Sequence, residues 1–522
     1  MEESNQMEDK TEKASHEIHH GNQFVKILKY SPWYLVATVL TKMSAVILMP
    51  IFTKYLSPED YGILNTLRAF GGALPVFISL AIDQSFLRYY FLEKKISHEN
   101  VRILYSTLFW FIVAWGVVVT VIALLTSPIM FKSLVKIPFW PFLPLVILPM
   151  LLTQLSALGS AYLRSNLQTR TFTGIKLIQF VSSTTLAVTL LVHFKLGIKA
   201  PLYGNFVGVL LSLGWYTYLS VKYSLLAFCF DWGMLKRSMK YSIPFVPILA
   251  SSWIAGLSDR LILAYYGRIK EVGLYSISAN ISRMLYFAND AITQVQGPIG
   301  MSALTENRDQ GKKQIGEFLM VFVWGMSFAY LVLTLFSKEI LFFVANERYH
   351  SAYKLVGILA FPFLIGGIYR PFSVIISFHA KTWLFTAASF IQAAINAALN
   401  FAFIPYYGQF AAAWSTCFSA SVYTIWVIWW AQKLDPIPVK KKDVISILLI
   451  VGAILALYVI VDSNEYISLW TKFLVKVVLV GIYILVSVTN TEFRNFLGSV
   501  FMLIRKRLIS SRIGTKKVIK EV

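Results

Sequence analysis

Four basic side chains lie inside long apolar stretches of the sequence, where a charge is unusual. Lys42 and Arg68 fall within the first and second of these stretches, and Arg260 and Arg283 fall within the seventh and eighth. One charge exposed at the centre of a hydrocarbon layer costs about 2.5–3.5 kcal/mol, so four of them would cost of order 10 kcal/mol. We therefore expect these side chains to face water, counter-charges or a ligand, and their shared sign indicates an anionic ligand.

Carboxylates lie close to two of these cations. Asp259 directly precedes Arg260, and Asp290 follows Arg283 by seven residues. Each carboxylate could bind a coupling cation, either a proton or a sodium ion, or could pair with the arginine beside it.

Asp83 and Arg88 lie at the end of the second apolar stretch. They could form an inner gate or a plain ion pair at the membrane surface. The residues alone leave both readings open.

The eighth apolar stretch carries a single line of polar residues. Ser276, Asn280, Arg283, Asp290 and Gln294 are spaced four, three, seven and four residues apart, which places them on one face of an α-helix. We favour the lining of a cavity, because the rest of the helix is apolar. The alternative is a structural pair between the charged residues of the stripe.

A second polar line occurs in the eleventh apolar stretch. Gln392, Asn396 and Asn400 have the same helical spacing. Amide side chains often join membrane helices through hydrogen bonds, so we interpret this line as a helix contact.

The composition indicates that lipid is the main solvent of this chain. Of 522 residues, 57% are hydrophobic and only 14% are charged, and the mean hydropathy is +0.63, whereas soluble domains are about one quarter charged. About fourteen windows are long and apolar enough to span a bilayer as helices. The fold class is therefore an all-α polytopic membrane protein. Two cysteines exclude a disulfide framework. The segment from His16 to His20 matches H-E-x-x-H, but a zinc site needs a packed helix and a third ligand, which this polar tail does not offer, so no metal or cofactor is expected.

The distribution of basic residues predicts the orientation. With a cytoplasmic N-terminus, the inward segments hold roughly 30 of the 48 lysines and arginines and the outward loops hold about 11. An even number of spans then places both termini in the cytoplasm. The net charge is +22, and the basic residues that produce it lie between the apolar runs. We therefore expect anionic lipids rather than nucleic acid as partners.

An internal repeat links the two halves. Residues 52–64 and 264–275 each join two apolar stretches, and each has an acid two residues before a glycine, Asp60 before Gly62 and Glu271 before Gly273. The glycines are 211 residues apart, close to six spans, which predicts two halves in the same orientation.

The same segments carry a family resemblance. They read MPIFTKYLSPEDYGILNTL from Met49 to Leu67, IDQSFLRYY from Ile82 to Tyr90 and DRLILAYYGRIKEVGLYSISANIS from Asp259 to Ser282. In this order they resemble landmarks of the lipid-linked oligosaccharide flippases, the O-antigen type of polysaccharide flippase. That family belongs to the multidrug/oligosaccharidyl-lipid/polysaccharide exporter superfamily.

The resemblance implies a MATE-like fold, with two six-helix lobes around a central cavity and an accessory helix pair. The expected segments are a cytoplasmic tail (1–30), an N-lobe (31–223), a C-lobe (224–434), accessory helices (435–490) and a basic cytoplasmic tail (491–522). In this family four helices line the cavity, and each of the corresponding helices here would carry one cation: Lys42, Arg68, Arg260 or Arg283. Asn280 and Gln294 would bind glycan hydroxyls.

The function implied is the flipping of a polyprenyl-diphosphate-linked oligosaccharide from the inner to the outer leaflet of the bacterial cytoplasmic membrane. No enzymatic activity is expected, since no ATPase motif or large outer loop occurs. Other membrane proteins of polysaccharide assembly are candidate partners. The alternatives are a cation-coupled multidrug exporter of the same superfamily and a membrane glycan transferase or polymerase.

Overall fold

The computed structural model describes residues 45–134, 137–166, 168–464 and 466–489. Within these ranges the chain is helical and contains no β-strand. It divides into two compact units, one made of residues up to Trp253 with Ala264–Ile269, the other of Ile254–Leu263 with the residues from Lys270 onward. The five segments predicted from the sequence stay a prediction.

The helices α1 to α9 belong to the first unit, and α10 continues from it into the second. They are Met49–Tyr55 (α1), Pro58–Gly71 (α2), Leu74–Ser79 (α3), Ile82–Ile96 (α4), His98–Leu134 (α5), Phe142–Ser165 (α6), Thr169–Val192 (α7), Lys199–Lys222 (α8), Trp232–Ser242 (α9) and Val246–Tyr265 (α10).

The remaining helices lie in the second unit, apart from the first residue of α11. They are Ile269–Glu306 (α11), Arg308–Leu335 (α12), Ser337–Val344 (α13), Tyr353–Phe378 (α14), Trp383–Leu434 (α15), Lys441–Ser463 (α16) and Leu469–Thr489 (α17). Short 3-10 turns precede α10 at Ile243–Phe245 and α14 at Glu347–Ala352.

The helices confirm an all-α polytopic architecture, and ten helical segments of the described chain are long and apolar enough to span a membrane. One of them, Trp383–Leu434, breaks at Gly408, where φ is 55° and ψ is −133°. Only glycine adopts such angles readily, so the chain turns back here and the two arms of α15 correspond to two predicted spans. The first predicted span lies largely outside the described residues, and the total of fourteen stays a prediction.

The second predicted span is interrupted rather than continuous. α2 ends at Gly71, Pro75 lies in the first turn of α3, and Leu80 and Ala81 then adopt left-handed conformations with φ of 46° and 58°. Proline cannot donate a backbone hydrogen bond within a helix, which explains a break at this point. The chain therefore crosses this region as three short helices, α2 to α4.

The first repeat motif forms the start of α2. The Ser57 hydroxyl accepts a hydrogen bond from the Asp60 amide at 3.1 Å, and the Asp60 carboxylate accepts one from the Ser57 amide at 3.0 Å. This reciprocal arrangement satisfies two of the free amides of the helix. Gly62 then lies against Ile269 in the same unit, where an added Cβ would be 2.0 Å from the Ile269 carbonyl oxygen.

The second repeat motif also uses its acid to bind backbone. Glu271, in the first turn of α11, accepts a hydrogen bond from the Gln409 amide at 2.7 Å, immediately after the break at Gly408. Both repeat acids therefore accept hydrogen bonds from main-chain amides, Asp60 at the start of its own helix and Glu271 at the turn after Gly408, 138 residues away.

The segment between α8 and α9 is irregular, yet its backbone is held by side chains of α5. The Ser106 hydroxyl donates to the Leu225 carbonyl at 2.8 Å and accepts from the Ala227 amide at 2.9 Å. The Trp110 indole donates to the Ala227 carbonyl at 2.8 Å, and the Thr107 hydroxyl accepts from the Asp231 amide at 3.0 Å. This segment is therefore packed as part of the first unit.

A cluster of charges ties together the ends of three helices of the second unit. Asp435, which follows α15, accepts hydrogen bonds from Arg308 at 2.7 Å and Lys312 at 3.2 Å, and the His379 ring lies 3.8 Å away. Burial alone would raise the pKa of the Asp435 carboxyl, but the hydrogen bonds from Arg308 and Lys312 outweigh burial and lower the pKa below its usual value.

We expect Asp435 to stabilise the protein in a pH-dependent way. Its pKa is depressed on folding, so its contribution is complete above about pH 4 and is lost as the pH falls through the lower folded-state pKa. At pH 7, Asp435→Asn should lower the free energy of unfolding by about 1–3 kcal/mol, and this difference should shrink below pH 4. Thermal unfolding of the purified variants across pH measures it.

The matched control is Asp309→Asn. Asp309 pairs with the same lysine, Lys312, at 2.8 Å, but its side chain is 92% exposed, so the change should cost less than about 1 kcal/mol at any pH. Equal losses for the two variants at pH 7 would contradict the role given to Asp435.

Candidate functional site

Asp259 lies at the centre of a buried polar cluster in the second unit. Its carboxylate, 2% exposed, accepts hydrogen bonds from the Tyr275 hydroxyl at 2.5 Å, the Asn400 amide at 2.7 Å and the Thr416 hydroxyl at 3.1 Å. These partners come from α11 and from both arms of α15, so one carboxylate joins three helical segments.

The cluster continues through two asparagines of α15, both fully buried. The Asn400 amide also donates to the Asn396 carbonyl oxygen at 3.1 Å, and the Asn396 amide donates to the Thr416 hydroxyl at 3.3 Å. Oδ1 of Asn400 has no hydrogen-bond partner among the described residues. A buried carboxylate beside amide and hydroxyl oxygens, one of them unsatisfied, is an arrangement that can hold a hard cation or a proton.

The sequence predicted only part of this cluster. Asp259 was expected as a coupling-ion residue, and Asn396 and Asn400 were expected to make a helix contact. The structure confirms the helix contact made by the asparagines and shows that Asn400 also donates a hydrogen bond to Asp259. Tyr275 and Thr416 were missed. The spacing of Thr416 from Gly408 offered no signal, because the reversal of α15 is what brings Thr416 to the carboxylate.

Arg260 is also buried in the second unit, at 4% exposure. Its Nε donates to the Ser276 hydroxyl at 3.2 Å and one terminal nitrogen donates to the Gly256 carbonyl at 3.1 Å. The guanidinium lies 5.4 Å from the centre of the Tyr275 ring. Its packing therefore orders the helix pair beside Asp259, and its predicted contact with a substrate stays a prediction.

Arg68 has a different environment. It lies on α2 in the first unit with an exposed side chain, and within the described ranges its guanidinium makes no hydrogen bond or ion pair. One residue on, the Ala69 carbonyl accepts a hydrogen bond from the Trp253 indole at 2.9 Å. The indole thus fixes the backbone next to Arg68.

The polar stripe of α11 lies on a continuous helix, as predicted. On the opposite face, the Ser278 hydroxyl donates to Ala352 O at 2.7 Å, the Ser282 hydroxyl to Val356 O at 2.8 Å and the Asn289 amide to Phe363 O at 3.2 Å. At 3.6 residues per turn these three lie about half a turn away from the predicted stripe. That face packs on α14 and on the turn that precedes it.

The members of the stripe differ in burial. Asn280 is 8% exposed, whereas Arg283 and Asp290 are half-buried. The side chain of Gln294 and the whole of Lys42 lie outside the described residues. The structure therefore brings the described stripe residues onto one helix face, and their roles in binding stay predictions.

The structure does not join the two predicted gate residues. The Asp83 carboxylate accepts a hydrogen bond from Gln84 at 3.0 Å, and the Arg88 guanidinium lies 4.6 Å from the Tyr241 ring centre. No ion pair between Asp83 and Arg88 occurs in the described part of the chain. Arg88 lies on α4 and Tyr241 lies on α9, so the two side chains are part of a contact between these helices.

That contact contains an ion pair that the sequence did not reveal. Glu93 of α4, 3% exposed, binds Arg237 of α9 and accepts a hydrogen bond from Asn100 at 3.1 Å. The Arg237 guanidinium also lies 4.5 Å from the Tyr89 ring centre. The glutamate near the end of an amphipathic helix was the only indication of this ion pair in the sequence. Its partner is 144 residues away, so local spacing could not identify it.

Solved structures define the class to which this fold belongs. The lipid II flippase MurJ in an inward closed conformation aligns with a TM-score of 0.69 at 15% identity, covering 87% of this chain and 98% of that chain. An inward-facing multidrug resistance MATE family transporter of the MOP superfamily aligns with a TM-score of 0.62 at 11% identity, covering 77% and 98%. The chain therefore shares the fold of these two proteins.

The family follows from the sequence match. A family model described as polysaccharide biosynthesis protein matches residues 51–323, more than half of the chain, and the chain belongs to this family. Family membership and the shared fold confirm the predicted resemblance to a polysaccharide biosynthesis family with a MATE-like fold. An uncharacterized membrane protein of Methanocaldococcus jannaschii is 22% identical over 496 residues, 88% of this chain and 94% of that protein.

Proposed function

We propose that this chain flips a polyprenyl-diphosphate-linked oligosaccharide from the inner to the outer leaflet of a bacterial cytoplasmic membrane. The proposal is supported by membership of a polysaccharide biosynthesis family and by a fold shared with a lipid II flippase. The observation that carries it is the exposed, unpaired guanidinium of Arg68 among the described residues of a membrane helix. Such a cation requires water or an anion.

The proposed ligand for the cations is the diphosphate that joins lipid to glycan. Arginine binds phosphate oxygens through paired hydrogen bonds, and lysine supplies a compact positive charge. In this proposal Arg68, Arg260, Arg283 and Lys42 bind the diphosphate, and Asn280 and Gln294 bind sugar hydroxyls. The isoprenoid chain remains in the lipid while the protein alternates between states open to either leaflet.

The membrane potential and a coupling cation would drive the cycle. Moving each negative charge outward across about 100 mV releases roughly 2.3 kcal/mol, so a diphosphate with about two charges would gain about 4–5 kcal/mol. We further propose that the Asp259 carboxylate binds the coupling cation, a proton or a sodium ion. The hydroxyl and amide oxygens around Asp259 support this assignment.

Export of cationic drugs is the second candidate function, because the fold is shared with a multidrug transporter. A cationic drug needs acidic or aromatic side chains in its binding cavity. Asp259 is 2% exposed, too enclosed for a drug-sized cation, whereas Arg68 is exposed. This balance of charge favours an anionic substrate.

Arg68→Ala and Arg283→Ala test the proposed function. In cells lacking the chromosomal gene, either variant should reduce surface polysaccharide at least about tenfold, because one charge-assisted contact to phosphate contributes about 1.5–3 kcal/mol. The lipid-linked glycan should accumulate on the inner leaflet. Surface glycan, the lipid-linked intermediate and the amount of protein in the membrane are measured together.

The control is Arg170→Ala, which removes an exposed arginine at the start of α7 and should leave export unchanged. Normal surface polysaccharide in both Arg68→Ala and Arg283→Ala cells would contradict the proposed function. Loss of drug resistance without loss of surface glycan would support the multidrug exporter instead.

A further inference from the structure

A cavity of about 780 Å³ lies within the second unit, apart from the Asp259 cluster. It is lined by residues of α12, α14, the second arm of α15 and α16. Its volume is within the range of about 300–1,000 Å³ that small-molecule sites have. None of the residues assigned above to substrate or cation binding lines it.

One part of the cavity wall is apolar. Ile358 and Phe361 of α14, Trp414 of α15 and Leu455 of α16 contribute to it. These side chains come from helices that would span the membrane, so the natural occupant of this wall is a hydrocarbon chain.

Opposite charges lie in the same cavity, and neither side chain forms a salt bridge among the described residues, although Lys472 donates to the main-chain carbonyl of Asp462 at 2.8 Å. Lys354 is exposed and has no hydrogen bond or ion pair among the residues that the structure describes. The Asp462 carboxylate accepts one hydrogen bond, from the Tyr353 hydroxyl to Oδ2 at 3.2 Å, and in the same ranges its Oδ1 accepts none. A ligand that carries one negative and one positive group would complement both.

A buried hydroxyl adds an unsatisfied hydrogen-bonding group. Tyr458 is 8% exposed and lines the cavity, and its hydroxyl has no partner among the described residues. Its ring is held from the other side by the Lys476 ammonium, 5.3 Å from the ring centre, which is itself paired with Glu339 at 2.7 Å. The tyrosine is fixed in place, and its hydroxyl is open to a ligand.

We propose that this cavity binds a zwitterionic phospholipid with a primary amine, of the phosphatidylethanolamine type. One acyl chain lies on the apolar wall, the phosphate binds Lys354 and the Tyr458 hydroxyl, and the ammonium donates to Asp462. A purely anionic headgroup would leave Asp462 facing a like charge. A choline headgroup carries no N–H donor for the carboxylate.

The test is lipid binding to the purified full-length protein, followed by native mass spectrometry. Phosphatidylethanolamine, phosphatidylcholine and phosphatidylglycerol with identical acyl chains are supplied in separate titrations. Phosphatidylethanolamine should bind about tenfold more tightly than the other two, and Lys354→Ala and Asp462→Asn should each weaken it about tenfold. Glycerophosphoethanolamine, which lacks the acyl chains, should not displace the bound lipid.

The control is Lys199→Ala, which removes an exposed lysine on α8, away from the cavity, and should leave lipid binding unchanged. Equal binding of the three lipids, tighter binding of phosphatidylglycerol, or unchanged binding in Lys354→Ala would overturn the proposal. Because Lys354 is exposed and makes no contact that folding needs, this variant remains informative even if Asp462→Asn is unstable.

Discussion

Replacing Asp259 with asparagine is expected to slow glycan transport by about 100-fold or more and to remove its dependence on a cation gradient. The amide has nearly the shape of the carboxylate but cannot balance the charge of a proton or sodium ion. Loss of one partner from a buried charged network costs about 3–5 kcal/mol, and about 3 kcal/mol corresponds to 100-fold in rate. Transport of lipid-linked glycan in proteoliposomes, with an imposed proton or sodium gradient, measures the effect.

Tyr275→Phe is the matched control for Asp259→Asn. It removes one hydrogen bond to the carboxylate but keeps the negative charge, so transport should fall less than about tenfold and remain cation-dependent. The unfolding temperature of each variant separates loss of function from loss of fold. Transport by Asp259→Asn at the normal rate, with the protein folded, would exclude Asp259 as the cation site.

Gly62→Ala adds one methyl group and should strongly lower the free energy of unfolding. The added Cβ would lie 2.0 Å from the Ile269 carbonyl oxygen, and a backbone atom cannot rotate aside. Overpacking typically costs about 1–3 kcal/mol and occasionally more, and we expect about 3 kcal/mol or more. The unfolding midpoint of the detergent-purified variant should fall by at least about 5 °C.

Gly174→Ala, in the helix α7, provides the comparison. No atom lies within 4 Å of the Cβ that it would add, so the same chemical change should be neutral or stabilise by up to about 1 kcal/mol. A midpoint for Gly62→Ala equal to that of the unsubstituted protein would show that α2 and the start of α11 can separate without cost.

The sequence predicted the helical architecture because apolar length and helical spacing are local properties. Two separate apolar windows were predicted within α15, and the structure places the break between them at Gly408. The repeat motifs also pointed to real structure. Asp60 and Glu271 both accept hydrogen bonds from main-chain amides, Asp60 from Ser57 beside it and Glu271 from Gln409, 138 residues away.

The partners of the buried charges could not be predicted in this way. Asn400 and Thr416 are 141 and 157 residues from Asp259, and helical spacing identifies a polar face without identifying what it faces. Arg260 illustrates the limit. Its position in an apolar stretch predicted polar surroundings, and the structure shows two acceptors from its own unit, Ser276 and Gly256, that the spacing did not identify.

The backbone contacts between α5 and the segment after α8 have a practical consequence for protein engineering. Reporter domains and tags are usually inserted into irregular connections, because such segments tolerate added length. Here the main chain at Leu225, Ala227 and Asp231 forms hydrogen bonds with side chains of α5, and an insertion would break these hydrogen bonds. The turn at Gly197, where an added Cβ would meet no atom within 4 Å, is the better place for a fluorescent reporter.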